Sequence, residues 1–306
     1  MGVLIKIDGA KFDKKYVIDT VEIVPDCDHV YELVETKAPT CKDTGANTYT
    51  CSICGHTYTD AIPVTEHNYV DCFCSVCGKH DPNVPYTIDE YPVQDTLKGL
   101  YDLGGTAEAT VANHASNPAN TQTAVLQGAY EMADNYVTFS GATNSCRMLT
   151  YVPATLENKV TLVALFSVPD GYRNIIGNAT ATLGLSLFND RILLYANGTT
   201  VDPRYPSSIN SQNFAVLALT ADENGCRVVR YSNGVLNTLV DYEGAVDGWT
   251  ASSVPFIIGG SSTGANYKAA RISLAAIHEG KLTDAQLESV CEFVKAYGEQ
   301  KGLTIE

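Results

Sequence analysis

Basic residues are scarce in this chain of 306 residues: 20 Lys and Arg stand against 35 Asp and Glu, a formal net charge of −15 at pH 7. Binding to phosphate backbones needs Lys and Arg to displace counterions, so this balance argues against nucleic acid and anionic membrane as partners. No apolar run approaches the roughly 20 residues of a membrane span, which argues against insertion into a bilayer. The opening, residues 1–15, has a short apolar run broken by charges and does not read as a signal peptide. That sets an expectation of reduced cysteines, which favours zinc over disulfides. Tryptophan occurs once, at Trp249, and residues 93–306 hold two histidines, His114 and His278.

What the chain does have is cysteine, and it is clustered. Seven of the ten cysteines fall between Cys27 and Cys77, with His29 and His67 among them. Such density is a ligand set for metal or a disulfide framework, not a core pattern. Cys51-Ser52-Ile53-Cys54-Gly55 and Cys74-Ser75-Val76-Cys77-Gly78 are two knuckles of the same form. In such a turn both sulfurs reach one ion and the glycine permits the tight backbone. His29-Val30-Tyr31 precedes the first knuckle and His67-Asn68-Tyr69 the second, so the segment repeats itself. The simplest parse is about two structural zinc ions. One takes His29, Cys41, Cys51 and Cys54; the other takes His67, Cys74 and Cys77, with Cys27 or Cys72 as the fourth ligand. Cys27 is preferred, because it would clip the start of the module to its end. His56 and His80, each just after a knuckle glycine or one residue beyond it, are read as solvated.

The chain falls into four parts: an N-terminal β segment, 1–24, for docking or assembly; the Cys/His module, 25–80; a proline-bearing linker, 81–92; and a β-rich domain, 93–306. Residues 1–24 alternate as two short strands, too little to fold alone. After residue 93, runs rich in Val, Ile, Leu, Tyr and Thr recur at 136–139, 160–166, 192–195, 214–219, 227–231, 256–258 and 271–277. Asn197-Gly198 and Asn233-Gly234 are hairpin signals, since both turn positions need positive φ. Asp222-Glu223-Asn224-Gly225 reads as another hairpin tip. Many such strands predict an antiparallel sandwich. It closes with one helix: Thr283 to Gln286 fits a capping box, Leu287, Val290, Cys291, Val294 and Tyr297 form a stripe, and Gly298 and Gly302 read as stop signals. Cys146, Cys226 and Cys291 are read as buried apolar fillers.

Two resemblances attach to these residues. The stretch from Thr36 to Val70, with its Pro-Thr-Cys, Thr-Tyr-Thr-Cys-x-x-Cys-Gly, Ile-Pro and His-x-Tyr elements, resembles the short zinc-ribbon-like repeats of Firmicutes surface and phage proteins; it departs from them at Glu66 and in the extra Cys72. From about Val93 to Gly302, the elements near residues 97–105, 192–201 and 256–302 resemble the concanavalin A-like (laminin G-like) jelly roll. That implies a mainly β, two-sheet antiparallel sandwich with a C-terminal helix, whose face or edge loops bind carbohydrate or protein. Relatives that hydrolyse glycosides carry a Glu-x-Asp-x-x-Glu strand. None occurs here, Asp241-Tyr242-Glu243 lacks the third carboxylate, and no serine elbow accompanies the histidines. The chain is therefore read as a non-enzyme, with no catalytic residues.

A glycan site needs aromatics to stack on sugar faces and polar groups for the hydroxyls. Tyr172, Arg173, Asn174, Arg204, Tyr205, Trp249 and Tyr267 are the loop candidates, and Asp190, Asp202 or Asp247 are candidates to hold calcium. The opening Met1 to Ala10 is similar to the openings of phage virion proteins. The resulting expectation is a virion structural protein (tail, fibre or head decoration) whose lectin-like domain binds a host-surface polysaccharide or protein. Its N-terminal segment would meet other virion proteins, and by analogy it would be a homo-oligomer, a trimer. The alternatives are a bacterial cell-surface or extracellular carbohydrate-binding protein and, behind it, a polysaccharide hydrolase.

Overall fold

The computed structural model describes residues 27–105, 108–116, 123–140, 146–153, 159–169, 172–178, 183–188, 191–196, 199–201, 212–243, 255–260 and 269–306. The strand pair expected in residues 1–24 lies outside them. The chain divides into two compact units, Met1–Val84 and Pro85–Glu306.

In the first unit, β1 (Tyr31–Lys37), β2 (Gly45–Cys51) and β3 (Thr57–Ile62) form an antiparallel sheet in that order, and β4 (Tyr69–Val70) pairs with β5 (Phe73–Cys74) as a short hairpin. Cross-strand pairing puts Tyr49 opposite both Leu33 and Tyr58, so one sheet face carries Tyr31, Leu33, Tyr49 and Tyr58. The tyrosine rings meet at 4.6 Å (Tyr31 and Tyr58, edge to face) and 5.0 Å (Tyr49 and Tyr58, stacked). The cysteines Cys51 and Cys74 are buried, yet Leu33, Val34, Ile53 and Val76 are exposed.

The second unit is a two-sheet sandwich. It runs β6 (Leu97–Asp102), β7 (Thr110–Val111), β8 (Ala124–Gln127), β9 (Tyr130–Met132), β10 (Val137–Phe139), β11 (Arg147–Pro153), β12 (Val160–Ser167), β13 (Tyr172–Asn178) and β14 (Leu183–Phe188). It continues with β15 (Arg191–Ala196), β16 (Thr199–Val201), β17 (Ala215–Asp222), β18 (Gly225–Ser232), β19 (Val235–Glu243), β20 (Pro255–Ile258), β21 (Ala270–Glu279) and α1 (Asp284–Gln300). The first sheet runs β19-β18-β17-β12-β21-β10-β9, and the second runs β16-β15-β14-β13-β20-β11-β8-β7. Strand β21 is long enough to serve two partners on one edge: residues 270–272 pair with β10, and 274–278 pair with β6.

Burial explains the residue patterns. Between the sheets lie Leu162, Ala164 and Phe166 of β12, Leu217 and Leu219 of β17 and Ile272 and Ile277 of β21, facing Met148, Ile176, Phe256 and Ile258 of the second sheet. The outer face of the first sheet is also covered: Val163, Leu165, Val216 and Leu274 pack with Leu287, Val290, Cys291, Phe293 and Val294 of α1. Central strands buried on both faces read as continuous apolar runs, not as alternation, and β12 is buried along its whole length. The expected hairpins at Asn233 and at Glu223 are present. Asn233 and Gly234 adopt φ of 54° and 76° between β18 and β19, and Glu223 and Asn224 form the tip between β17 and β18.

Two expectations need correction here. Residues 86–92 are not a linker: Tyr91 is fully buried, Ile88–Glu90 is a 3-10 turn, and the Tyr86 ring meets Phe293 edge-on at 5.5 Å. Gly298 does not stop the helix. It lies within α1, where a β-carbon would stand 2.5 Å from the Leu165 side chain. Its role is close packing. Gly302, at φ 83°, follows the helix end as expected, since a left-handed residue there terminates the helix. The Thr283 cap holds too, its hydroxyl accepting from the Gln286 N–H at 3.3 Å and so satisfying one of the helix's unpaired donors.

Candidate metal centres and the free face of the sandwich

The first unit builds the same local structure twice. Tyr31 pairs with Cys51 as Tyr69 pairs with Cys74. In each knuckle the glycine N–H donates to the first cysteine carbonyl, Gly55 to Cys51 at 2.9 Å and Gly78 to Cys74 at 2.8 Å. The serine N–H donates to the residue after the histidine, Ser52 to Val30 and Ser75 to Asn68. Gly55 and Gly78 sit at φ 75° and 72°, a backbone that side chains disfavour. So the His-x-Tyr strand delivers an imidazole beside its own knuckle.

Two four-donor sets result: Cys27, His29, Cys51 and Cys54, and Cys41, His67, Cys74 and Cys77, the donor atoms of each within 4.8 Å of one another. This corrects the sequence parse. Cys27 belongs with the first set and Cys41 with the second, and Cys72 joins neither. The reason is visible in the repeat. Cys27 stands two residues before His29, and at the matching place before His67 the chain has Thr65. The Thr65 N–H donates to the Thr40 carbonyl at 3.0 Å, which brings the β1–β2 loop alongside, and the next residue, Cys41, fills the missing position.

The distances suit zinc. Sulfurs at about 2.3 Å from a tetrahedral ion are about 3.8 Å apart, and sulfur to nitrogen is about 3.5 Å. Cys27 Sγ lies 3.7 Å from Cys51 Sγ, and Cys54 Sγ lies 3.2 Å from His29 Nδ1; in the second set Cys41 to Cys74 is 3.6 Å and Cys77 to His67 Nδ1 is 3.4 Å. All ten cysteines are free thiols. These separations are far beyond the sulfur–sulfur bond of a disulfide, about 2.05 Å. Electrostatics agree. Burial pushes the Cys51 thiol up, but the Cys54 N–H, the His29 side chain and the Ile53 N–H more than offset it and hold it down to about 5. The N–H groups of Cys77 and Val76 hold Cys74 down to about 5 as well. Burial, with the neighbouring thiols, pushes Cys27 up to about 12 and Cys41 up to about 11. Each set thus ionises one thiol readily and resists further thiolates until a cation compensates them. A closed set of three thiolates and one imidazole supplies fold stability and leaves no position for substrate.

The flanking histidines differ from each other. His56 is exposed as expected, with Nδ1 2.9 Å from the Tyr31 hydroxyl. His80 is buried, contrary to expectation, because residue 80 bridges to Phe73 and its ring lies edge-on to that of Phe73 at 5.1 Å.

In the sandwich, α1 covers the outer face of the first sheet; on the outer face of the second, among the described residues, Ile257 is buried and its neighbour Leu149 half-buried. Along β11, buried Met148, Thr150 and Val152 alternate with half-buried Arg147, Leu149, Tyr151 and Pro153. Register places Arg147 opposite Gln127 and Leu149 opposite Val125, and Arg147 Nε donates to Gln127 Oε1 at 3.3 Å. Tyr151 takes φ 58°, a left-handed backbone. For a residue with a side chain such a backbone costs roughly 1–2 kcal/mol. The bulge is held from below: Tyr101 OH donates to the Thr150 carbonyl at 3.1 Å, and the Thr150 hydroxyl donates to the Phe256 carbonyl at 2.7 Å. The left-handed backbone at Tyr151 was not foreseen from the sequence, because a bulge leaves no mark in the apolar pattern. Of the seven residues singled out for glycan binding, Tyr172, Arg173 and Asn174 open β13, paired with Phe188, Leu187 and Ser186, and their side chains lie outside the described residues. Arg204, Tyr205, Trp249 and Tyr267, and the calcium candidates Asp190, Asp202 and Asp247, also lie outside them. Cys146, Cys226 and Cys291 are buried, as expected of fillers.

No family model matches the chain, and no curated protein does. Among solved structures it is similar to Trypanosoma rangeli sialidase in complex with sialic acid, with a TM-score of 0.51 at 14% identity over 85% of this chain and 44% of that one. The same sialidase with 2,3-difluorosialic acid, a covalent intermediate, gives 0.52 at 15% identity over 81% and 42%. The receptor-binding domain of botulinum neurotoxin C/D mosaic serotype gives 0.46 at 13% over 65% and 52%. The chain spans under half the length of the sialidase chains, and at these identities the likeness concerns the fold. It still overturns the reading of the chain as a non-enzyme, since structures that share its fold are sialidases. That reading rested on lacking one carboxylate triplet and a serine elbow, and these exclude only two kinds of active site.

Proposed function

We propose that the protein is a glycan-binding component of a phage particle, with the zinc-held unit as a compact spacer and the sandwich turned to a host-surface polysaccharide. The observation that carries the binding part is the asymmetry of the sandwich. The outer face of one sheet carries α1, whereas β11 of the other carries half-buried Tyr151 at a left-handed backbone, on the same strand as the Arg147 that donates to Gln127. One aromatic ring and a polar pair on the same strand are the groups a sugar would use, the ring for stacking and the polar atoms for hydroxyls. The shared fold with a sialidase solved with sialic acid supports a sugar ligand. The resemblance of the cysteine repeats and of the chain opening supports the particle, in which residues 1–24 meet other virion proteins and the copies associate, by analogy as trimers. A bacterial cell-surface role uses the same parts.

The test is binding of the labelled full chain to Gram-positive cells before and after their wall polysaccharide is stripped. Saturable binding that stripping abolishes, and that Tyr151→Ala weakens about tenfold, is the expected result. Binding indifferent to stripping overturns it. The sialidase likeness favours a second reading, glycoside hydrolysis, and sugar released from the same cells would establish that one.

A further inference from the structure

We infer that the two metal sites load as one cooperative unit, because their ligands are interleaved along the chain. The inference rests on the reading of both clusters as zinc sites. In two independent repeats every ligand of the first would precede every ligand of the second. Here Cys41, a ligand of the second set, lies inside the span from Cys27 to Cys54 that the first set closes.

The mechanical link is the β1–β2 hairpin. Its open end carries the first set, with Cys27 and His29 just before β1 and Cys51 ending β2. Its loop carries Cys41. An ion at the first set ties β1 to β2 and so fixes the loop that offers Cys41. An ion at the second set holds that loop against Thr65 and so shortens the search of the first four donors. The loop itself is stiff. The Thr40 hydroxyl accepts from the N–H groups of Lys42 and Asp43 at 3.1 and 2.9 Å, and Gly45 approaches so closely that a β-carbon would stand 2.5 Å from the Lys37 carbonyl oxygen and 2.6 Å from the Pro39 nitrogen. A stiff connection between two closing events makes each favour the other, and linkage makes the effect reciprocal.

The experiment is zinc titration of the metal-free, reduced full chain followed by native mass spectrometry. Coupling of about tenfold limits the one-zinc species to about a quarter of the protein at one equivalent, whereas two equal independent sites give about a half. A one-zinc species at or above half overturns the inference, and a chain that takes up no zinc overturns the metal reading beneath it. Cobalt binding to variants gives a second measure. Cys77→Ser removes a ligand of the second set outside the hairpin and is expected to weaken the first site about tenfold, while Cys72→Ser leaves both sites unchanged. A first site unmoved by Cys77→Ser sinks the coupling. Gly45→Ala keeps all eight ligands and is expected to raise the one-zinc species, since it strains the hairpin loop that joins the sites; a wild-type distribution in that variant counts against the hairpin as the link.

Discussion

The two units of this chain keep their shape by opposite means. Among the described residues, nine of the eleven large exposed hydrophobics lie in the first unit, and its buried apolar side chains are the two cysteines Cys51 and Cys74. The sandwich has a double core, one layer between its sheets and one beneath α1. A segment as short as the first unit buries too little apolar surface to offset its chain entropy, and metal ligation at its two Cys/His sets would supply what packing does not. The sandwich needs no such staple. Each unit should therefore fail under a treatment that spares the other.

Chelation should have the largest effect. Removing zinc should unfold the first unit outright, since structural zinc contributes on the order of 10 kcal/mol. The sandwich should keep its melting temperature, and limited proteolysis before and after chelation reads both. Cys51→Ser should do the same, and a sandwich that melts with it would erase the distinction between the units. Metal analysis should find about two zinc per chain. Phe166→Ala removes a ring from between the sheets and should cost the sandwich about 3–5 kcal/mol in urea unfolding, with zinc content unchanged.

Acid acts on both units through different groups, which sharpens the contrast. In the first it protonates thiolates that would hold metal. In the sandwich it acts on His278, fully buried between the Tyr91 hydroxyl and the Thr96 hydroxyl, each 3.0 Å from a ring nitrogen, with burial pushing the imidazole down to about 3. The unfolded chain takes up this proton near pH 6.5 and the folded chain refuses it until about 3. Stability is therefore complete above the first value and is lost as pH falls between the two. The loss should reach roughly 3 kcal/mol by about pH 4. Urea unfolding of the metal-free chain at pH 7 and pH 4 should show it, and His278→Gln should flatten the slope. The smallest effect belongs to Thr283→Ala at the start of α1, about 1 kcal/mol, visible as a slightly lower melting temperature of the sandwich alone.

The sandwich strands were legible in the sequence because Val160 to Phe166, Phe214 to Leu219 and Arg271 to Ile277 are apolar on both faces, and few other structures use such short continuous runs. The Asn233-Gly234 turn and the Thr283 cap were legible because each is set by residues next to it. The Cys/His donors were legible as a group and wrongly sorted between the two sets. Aligning the two His-x-Tyr repeats would have put Cys27 with His29, but the contact of Thr40 with Thr65 that summons Cys41 joins backbone groups and leaves no side-chain signature. For the same reason Tyr91 and Gly298 were misread: a proline-bearing stretch and a glycine near a helix end look alike whether or not another surface presses on them.

The double burial of β12, β17 and β21 also bears on how such a chain can change over generations. Substitutions on those strands disturb one core layer or the other, so selection leaves them little room. The half-buried positions of β11 in the second sheet carry less of that obligation. A lineage could rewrite residues such as Arg147, Gln127 and Tyr151 to follow a shifting target while inheriting the sealed sheet nearly unaltered.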